Sequence, residues 1–294
     1  MVDNILVKSE MLKLRDLSIQ YLQDFFQPDL KALISVSGGV DSTTVTYLLA
    51  EALGTDRVVA FHFPNSHNNR DTGNFNQITG LLGVENHSPM ICETIESGLD
   101  TLPGFAGLDN AKRFRAQIPL TYLMREGLVR AYGTLEEGKT RLVGALDRAE
   151  YFTGNYPKYS CTGDIAPIMG MYRQQVRGLA ALLGVPETIV YQPAETDSDP
   201  ECEAPVKWFK KGEIAQDFLL FLICEKEMSD EQILEFGLEN RISFDTRELT
   251  KARELIMNSK HKRVQHIPYP DVTRLGINRH NLAEAYLAGE MNYF

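Results

Sequence analysis

The sequence lacks the features that mark membrane-spanning, secreted and nucleic-acid-binding proteins. No stretch of its 294 residues approaches the roughly 18 uninterrupted apolar residues that a membrane span needs. Residues 1–4 lack the basic-then-apolar layout of a secretion signal, and no Cys-Xaa-Xaa-Cys pair occurs among the four cysteines. We therefore expect reduced thiols and a cytoplasmic protein. A formal net charge of −10 argues against a general nucleic-acid binder.

A short glycine-bearing loop at residues 37–42 is the most informative stretch that is present. An apolar segment, predicted to form a strand over 31–36, ends in Ser-Gly-Gly, and a helix reaching about residue 53 follows. Glycine lets the backbone turn tightly and bring N–H groups close to an anion, and the helix adds the positive end of its dipole. An ordinary strand-to-helix turn with an Asp or Ser cap is the alternative. Because strand, loop and helix occur together, the pattern favours phosphate binding.

The loop is not a Walker loop, because no Gly-Lys-Ser/Thr follows its glycines. Its pattern, Ser-Gly-Gly-Xaa-Asp-Ser, resembles instead the pyrophosphate loop of the N-type ATP pyrophosphatases, which split ATP into AMP and pyrophosphate. This resemblance implies ATP chemistry and leaves the acceptor open. The residues that it assigns to ATP here are Ser35, Val36, Ser37, Gly38, Gly39, Val40, Asp41 and Ser42.

Strand-like and helix-like segments alternate along the first half of the chain. Further strands are predicted over 58–63, 84–91 and 141–145, helices over 9–25, 75–82, 92–102 and 109–132, and a polar loop over 64–74. The alternation predicts an α/β fold with a doubly wound parallel sheet, in which ligands lie at the carboxyl ends of the strands. We expect one domain over residues 1–294, mainly helical from about residue 205 and ending in a tail at 271–294.

Two carboxylates are candidates for a metal site. Asp41 lies in the phosphate loop, and Glu150 lies about one turn into the helix expected after the strand at 141–145. Both follow strand ends, so we expect them to converge and to bind Mg²⁺ together with phosphate oxygens. A surface glutamate on a helix is the alternative for Glu150.

Further stretches, taken together, resemble the ammonia-dependent NAD synthetases. The matching pieces follow in order between about residues 30 and 268: Arg113-Phe114-Arg115, Gly144-Ala145, Glu150, Tyr151-Phe152-Thr153 with Lys158, 164–168, 173–177, 183–189, 192–195 and His261-Lys262-Arg263. Each piece is weak alone, whereas their order and spacing are specific.

The resemblance implies roles for the matching residues. Further ATP contacts are implied for Ala145, Arg173 and Ala194, and Arg173 stands where the family has a lysine. Contacts with the dinucleotide substrate, deamido-NAD, are implied for Arg113, Lys158, Asp164, His261 and Lys262. The implied catalytic set is Asp41, Lys158 and Arg173, and the implied Mg²⁺ ligands are Asp41 and Glu150. Family members are homodimers, which makes the helix at 109–132 a candidate subunit contact.

The implied reaction has two steps and leaves the acceptor open. A carboxylate attacks the α-phosphate of ATP and releases pyrophosphate, and ammonia then displaces AMP to form the amide. The chain is too short for a glutaminase domain, so free ammonia is the expected nitrogen donor. Ala145 replaces a threonine of the family, and residues 159–163 lack the usual glycine-rich run. Four functions stay open: an NAD synthetase, a paralogue that acts on another carboxylate or amine, a sulfur-inserting pyrophosphatase with Cys161 as sulfur carrier, and a nucleotide-binding module without catalysis.

Overall fold

The computed structural model describes residues 8–64, 69–91, 98, 100–101, 104, 110–136, 138–156, 163–192, 209, 213–240, 242 and 244–263. Contacts divide the chain into two units, Met1–Arg263 and Val264–Phe294, and every described residue belongs to the first. The predicted tail at 271–294 lies outside the described residues, as does most of the predicted helix at 92–102. The expectation of a single domain over the whole chain stays a prediction.

Four parallel strands form the described sheet, in the order β3-β2-β1-β4. Their bounds are β1 Lys31–Ser35, β2 Val58–Phe61, β3 Glu85–His87 and β4 Thr140–Val143. The chain leaves β1 toward β2 and returns from β3 to the opposite side of β1, so the carboxyl ends of β1 and β4 border a topological switch point. The prediction of an α/β fold with a parallel sheet is confirmed.

Helices cover the sheet and continue beyond it. In chain order they are α1 Lys8–Phe25, α2 Val40–Leu53, α3 Asn69–Leu82, α4 Asn110–Leu135, α5 Arg148–Thr153, α6 Arg173–Leu182, α7 Glu187–Val190, α8 Glu213–Cys224, α9 Asp230–Asn240, α10 Thr246–Asn258 and α11 Lys260–Arg263. The described part of the chain after residue 205 contains helices but no strand.

Both faces of the sheet are buried, because successive residues of a strand point to opposite apolar clusters. Ile34 of β1 packs in a cluster with Leu48 of α2 and Leu179 of α6. The preceding residue, Leu33, packs in a second cluster that includes Val129 of α4. A third cluster lies among α8, α9 and α10, which therefore have a core of their own.

Two predicted segments have wrong boundaries. The strand predicted over 84–91 covers only Glu85–His87. The polar stretch predicted as a loop over 64–74 contains the first turns of α3, which begins at Asn69. Polar side chains in these turns form hydrogen bonds with neighbouring segments. Thr72 bonds to His62, and Asn74 donates to the carbonyl group of Gly38. The first turns of α3 are polar because their side chains bind a neighbouring loop. Composition alone does not distinguish such a helix start from a loop.

Candidate active site

The phosphate loop turns sharply between β1 and α2 and requires glycine at one position. Gly38 has a φ of +91°, and a Cβ added to it would lie 2.6 Å from the carbonyl oxygen of Asp71. Gly39, with a φ of −82°, directly precedes α2. The first N–H groups of α2 have no partner within the helix, and glycine has no side chain that could cap them. The loop therefore presents the amino-terminal N–H groups of α2 at the carboxyl edge of the sheet, as anion binding requires.

Two serines organise the interior of this loop. The hydroxyl oxygen of Ser42 accepts a hydrogen bond from the N–H of Ser37 at 3.1 Å and lies 3.1 Å from the Ser37 hydroxyl oxygen. The N–H of Gly39 donates to that second hydroxyl at 3.3 Å. Ser42 is buried whereas Ser37 is exposed. A phosphate entering the loop would therefore meet the Ser37 side chain first, and the buried serine would keep the turn in shape.

A buried histidine directly after β2 and an asparagine of α3 support the loop. The Nδ1 of His62 lies 2.9 Å from the carbonyl oxygen of Val36, which can only accept, so Nδ1 carries the proton and Nε2 accepts from the Thr72 hydroxyl at 3.0 Å. Burial lowers the pKa of His62, which favours this neutral form. Asn74 donates to the carbonyl oxygen of Gly38 at 2.9 Å and to the side chain of Gln192 at 3.0 Å. Sequence reasoning missed these supports.

A capping box sets the second half of the site after β4. The side chain of Asp147 accepts from the N–H of Glu150 at 2.7 Å, and the side chain of Glu150 accepts from the N–H of Asp147 at 3.3 Å. Glu150 thus lies in the first turn of α5, as predicted. The spacing Asp-Xaa-Xaa-Glu after a predicted strand is a sequence signal for such a cap, and it could have identified Asp147.

Four carboxylates lie around the guanidinium group of Arg173. Its Nε is 2.7 Å from Oδ2 of Asp147, and its Nη1 is 3.8 Å from Oε1 of Glu213. Its Nη2 is 3.2 Å from Oδ2 of Asp41 and 3.2 Å from Oε1 of Glu150. One nitrogen therefore joins the phosphate loop to the helix after β4, and the predicted convergence of these two carboxylates is what the structure shows.

The charges of this cluster are unbalanced. Burial raises the pKa of Asp41 and raises that of Glu150 well above its ordinary value, although Arg173 opposes both shifts. Burial acts to lower the pKa of Arg173, but the surrounding carboxylates raise it well above its ordinary value, so this residue stays charged. Two cations, Arg173 and the Arg177 that binds Glu213, stand against four carboxylates. This leaves an excess of negative charge, which favours uptake of a further cation or of protons.

Two carboxylates of helix α8, Glu213 and Asp217, were not singled out in the sequence. Glu213 accepts from Arg177 at 3.0 Å. Asp217 is buried and accepts from the N–H of Gln174 at the start of α6, at 3.1 Å. Burial, followed by the nearby charge of Asp147, raises the pKa of Asp217 to about 8. No local pattern marks these residues, because they reach the site from a helix that is distant in sequence.

The described residues predicted to contact the acceptor bind other parts of the chain. Asp164 accepts from Arg130 at 3.2 Å with one oxygen and from the N–H of Leu142 at 2.9 Å with the other. His261 is exposed, and its Nδ1 lies 3.0 Å from the carbonyl oxygen of Asn258.

Lys262 donates to the carbonyl oxygens of Gly154 and Tyr156 at 2.6 and 2.8 Å. Its ammonium group therefore lies beside the residues that lead into the predicted acceptor loop.

Several predicted positions cannot be placed. Lys158, Cys161 and Ala194 lie outside the described residues, and Arg113 is described only as part of the backbone of α4. Ala145 is half-buried beyond the end of β4 and packs against the main core, at the carboxyl edge where ATP contacts are predicted.

Comparison with known proteins decides the family. The family model described as NAD synthase matches residues 19–266. This chain belongs to the NAD synthase family, whose members are carbon–nitrogen ligases. It is 28% identical to the NH₃-dependent NAD⁺ synthetase of Pyrococcus furiosus, over 82% of this chain and 90% of that protein. It is 30% identical to the protein of the same name from Hyperthermus butylicus, over 79% of this chain and 80% of that protein.

Solved structures support the same fold at lower identity. The NH₃-dependent NAD synthetase of Campylobacter jejuni superposes with a TM-score of 0.67 at 17% identity, covering 88% of this chain and 98% of that one. An NMN synthetase of Francisella tularensis gives 0.63 at 18% identity, covering 89% and 98%. At these identities the likeness shows the fold alone. Among the helices that the structure describes, none is long and apolar enough to cross a membrane.

Proposed function

We propose that this NAD synthase family member is an ATP-dependent amide ligase that converts deamido-NAD and ammonia to NAD, with release of AMP and pyrophosphate. The observation that carries the proposal is the meeting of Asp41 and Glu150 on one nitrogen of Arg173, beside the turn at residues 37–42 whose N–H groups suit an anion. The curated relatives, which are named NH₃-dependent NAD⁺ synthetases, support this acceptor rather than a different one.

The reaction would proceed in two balanced steps. An oxygen of the acceptor carboxylate forms a bond to the α-phosphorus of ATP, and the bond from that phosphorus to the bridging oxygen of the β-phosphate breaks, which releases pyrophosphate. Ammonia then forms a bond to the acyl carbon, the bond from that carbon to the AMP oxygen breaks, and the nitrogen loses a proton. Positioning and charge neutralisation are the work required of the protein in both steps.

The phosphate loop would bind the leaving pyrophosphate. The N–H groups at the start of α2 and the exposed hydroxyl of Ser37 would donate hydrogen bonds to the departing group. They would thereby stabilise the negative charge that grows on its oxygen. Arg173, whose Nη2 lies 3.2 Å from Oδ2 of Asp41, would contribute positive charge beside the loop. Its five N–H donors exceed what a lysine offers, so it can contact phosphate oxygens while keeping part of its carboxylate contacts.

The residues of the site fit a magnesium ion. Oδ1 of Asp41 is buried and has no hydrogen-bond partner within the described part of the chain. Glu150 brings a second carboxylate to the same place through Arg173. Among the described residues, no group of three His, Cys, Asp or Glu side chains is arranged to hold a metal ion by itself. This suits an ion that takes one or two carboxylates and fills its shell with water and phosphate oxygens. When bound, Mg²⁺ would supply positive charge to the phosphates.

For the acceptor we propose contacts from Arg113, Lys158, Asp164, His261 and Lys262, with Lys158 also acting in catalysis. Ala194 and Ala145 would contact ATP through backbone groups or methyl surface, since alanine has no side-chain donor. A homodimer in the cytoplasm is proposed as the working form.

Product analysis tests the proposal. The full chain is incubated with ATP, Mg²⁺, ammonium and deamido-NAD, and NAD, AMP and pyrophosphate are quantified. We expect the three products in equal amounts and no ADP. Asp41→Asn should reduce the rate by roughly 100-fold or more, because the loop loses its carboxylate. Asp56→Asn, an exposed aspartate on the surface turn before β2, serves as matched control and should retain the wild-type rate.

The same measurement separates the alternatives. AMP and pyrophosphate formed without NAD would indicate a paralogue with another acceptor. Release of ADP, or binding of ATP without any cleavage, would contradict the proposed chemistry altogether.

A further inference from the structure

The basic turn at the end of the described chain binds the carboxyl end of the helix that carries Glu150. Lys262 in α11 donates to two main-chain carbonyl oxygens, those of Gly154 at 2.6 Å and Tyr156 at 2.8 Å. The same ammonium nitrogen lies 5.8 Å from the centre of the Tyr156 ring, so an aromatic face covers it. Burial lowers the pKa of Lys262, and its two carbonyl partners are uncharged.

Two neighbouring side chains extend these contacts toward α5. Arg263 donates to the carbonyl oxygen of Phe152 at 2.6 Å, and the hydroxyl of Ser259 donates to the same oxygen at 2.8 Å. Arg263 also donates to the carbonyl oxygen of Ile256 at 2.6 Å, which ties the turn back to α10. Carbonyl groups at a helix end have no partner within the helix and attract positive charge, so this is a suitable place for two cations.

Gly154 shows how closely the two segments approach. It ends α5 with a φ of +70°, and a Cβ added to it would lie only 2.2 Å from the Cβ of Ser259. Its N–H and that of Asn155 both donate to the carbonyl oxygen of Glu150, at 2.7 and 3.1 Å. The turn that closes behind Glu150 is therefore the one whose carbonyl groups are held by Lys262.

We propose that Lys262 and Arg263 are positioning residues that bind the carbonyl groups of residues 152, 154 and 156. They thereby fix both the helix that carries Glu150 and Tyr156, the last described residue before the predicted acceptor loop. That loop contains Lys158, so the inference rests on the proposed function for its catalytic meaning, whereas the contacts themselves do not. The family resemblance implies a direct contact of Lys262 with the acceptor. Because two of its three N–H groups bind carbonyl oxygens, only the third would be available for that contact.

Amide hydrogen exchange in the ligand-free full chain tests this role directly. In Lys262→Met, the amides of Gly154 and Asn155 should exchange about tenfold faster or more than in the wild type, because the turn loses two charge-assisted hydrogen bonds. Lys262→Arg should restore most of the protection, since a guanidinium group can also donate to two carbonyl oxygens. Lys260→Met is the matched control: this lysine is exposed on the same turn, has no hydrogen bond to another described residue, and should leave exchange unchanged.

Steady-state kinetics then distinguish positioning from a general loss of stability. With the proposed substrates, Lys262→Met should lower kcat severalfold, leave the KM for ATP unchanged, and recover in Lys262→Arg. If Lys262→Met does not fold, Lys262→Gln, whose amide can donate to one carbonyl oxygen, should show intermediate exchange. Wild-type exchange at residues 154 and 155 in folded Lys262→Met would overturn the inference. If the wild type forms no NAD, the proposed function fails, while the exchange measurement still decides the role of Lys262.

Discussion

At the scale of single residues, the site is organised by charges that compensate one another incompletely. Arg173 holds Asp41 and Glu150 on one nitrogen, and its Nε binds the fully buried Asp147. Removing a central cation from such a cluster is costly, because each remaining buried charge loses its partner. Asp217 avoids the free-energy cost of a buried charge by protonation: with a pKa of about 8 it is mostly neutral at pH 7.

Asp217 gives a prediction with a defined sign. Its carboxyl group binds a proton more tightly in the folded chain, with a pKa of about 8, than in the unfolded chain, where aspartate titrates near about 4. Its contribution to stability is therefore full below about pH 4 and is lost as the pH rises through about 8. Asp217→Asn keeps an acceptor for the N–H of Gln174 and removes the titration.

Urea unfolding at about pH 5 and about pH 8 measures this effect. Wild type should lose on the order of 3–4 kcal/mol more than Asp217→Asn between these two values, because the carboxyl group titrates over about three pH units only in the folded chain. The control is Asp56→Asn, which should follow the wild type. Equal pH dependence of wild type and Asp217→Asn would contradict the protonated state that burial predicts.

At the scale of elements, the phosphate loop is shaped by the helix beside it. The close approach of Gly38 to the backbone of α3 leaves no space for a side chain, and Asn74 of that helix binds the Gly38 carbonyl group. The loop conformation is thus fixed jointly by its own glycine and by the first turns of α3. The same helix start was predicted as loop, so the element scale is where the sequence pattern was least reliable.

Gly38→Ala should displace the loop. A methyl group would lie 2.6 Å from the carbonyl oxygen of Asp71, at a φ that L-residues rarely adopt. A shift of about 1 Å in a positioned group costs roughly 100-fold, which is the expected loss in kcat/KM for ATP. Gly39→Ala should lose less, because its Cβ would meet only the Ser37 hydroxyl at 3.4 Å. Gly80→Ala in α3, which meets nothing within 4 Å, should keep full activity. Equal losses in the first two variants would argue against the steric explanation.

At the scale of the whole molecule, helix α4 packs against one face of the sheet and leaves some of its own apolar side chains exposed. Leu128 and Leu135 lie on one side of it and are 39% and 79% exposed. Val129, between them in sequence, is buried against the sheet. Exposed leucines of this kind are consistent with the proposed homodimer, in which a helix face becomes covered by its symmetry mate.

Sedimentation of the full chain tests the dimer. Wild type at micromolar concentration should sediment as a dimer, and the double variant Leu128→Glu, Leu135→Glu should sediment as a monomer, because charges would be buried at the interface. Leu17→Glu, at an exposed leucine of α1, is the control and should leave the dimer intact. A monomeric wild type would contradict the proposed assembly, and a dimer that survives both charges would place the interface elsewhere.

The sequence by itself determined the parallel α/β fold, the tight strand-to-helix turn at residues 37–42, and the convergence of Asp41 and Glu150. These features follow from local rules: strands are apolar and short, glycine marks the tight turn, and residues after parallel strands meet at one edge of the sheet. The resemblance of ordered motifs indicated the family, which the comparisons confirmed.

Only the tertiary structure decided which other groups surround that pair. Glu213 and Asp217 come from a helix that is distant in sequence, and no periodicity predicts where such a helix docks. For Lys262 the resemblance implied a contact with the acceptor, whereas its carbonyl partners at Gly154 and Tyr156 are seen only in the structure, where the chain returns to α5. Contacts between segments that are far apart in sequence depend on packing of the whole core, which local patterns do not specify.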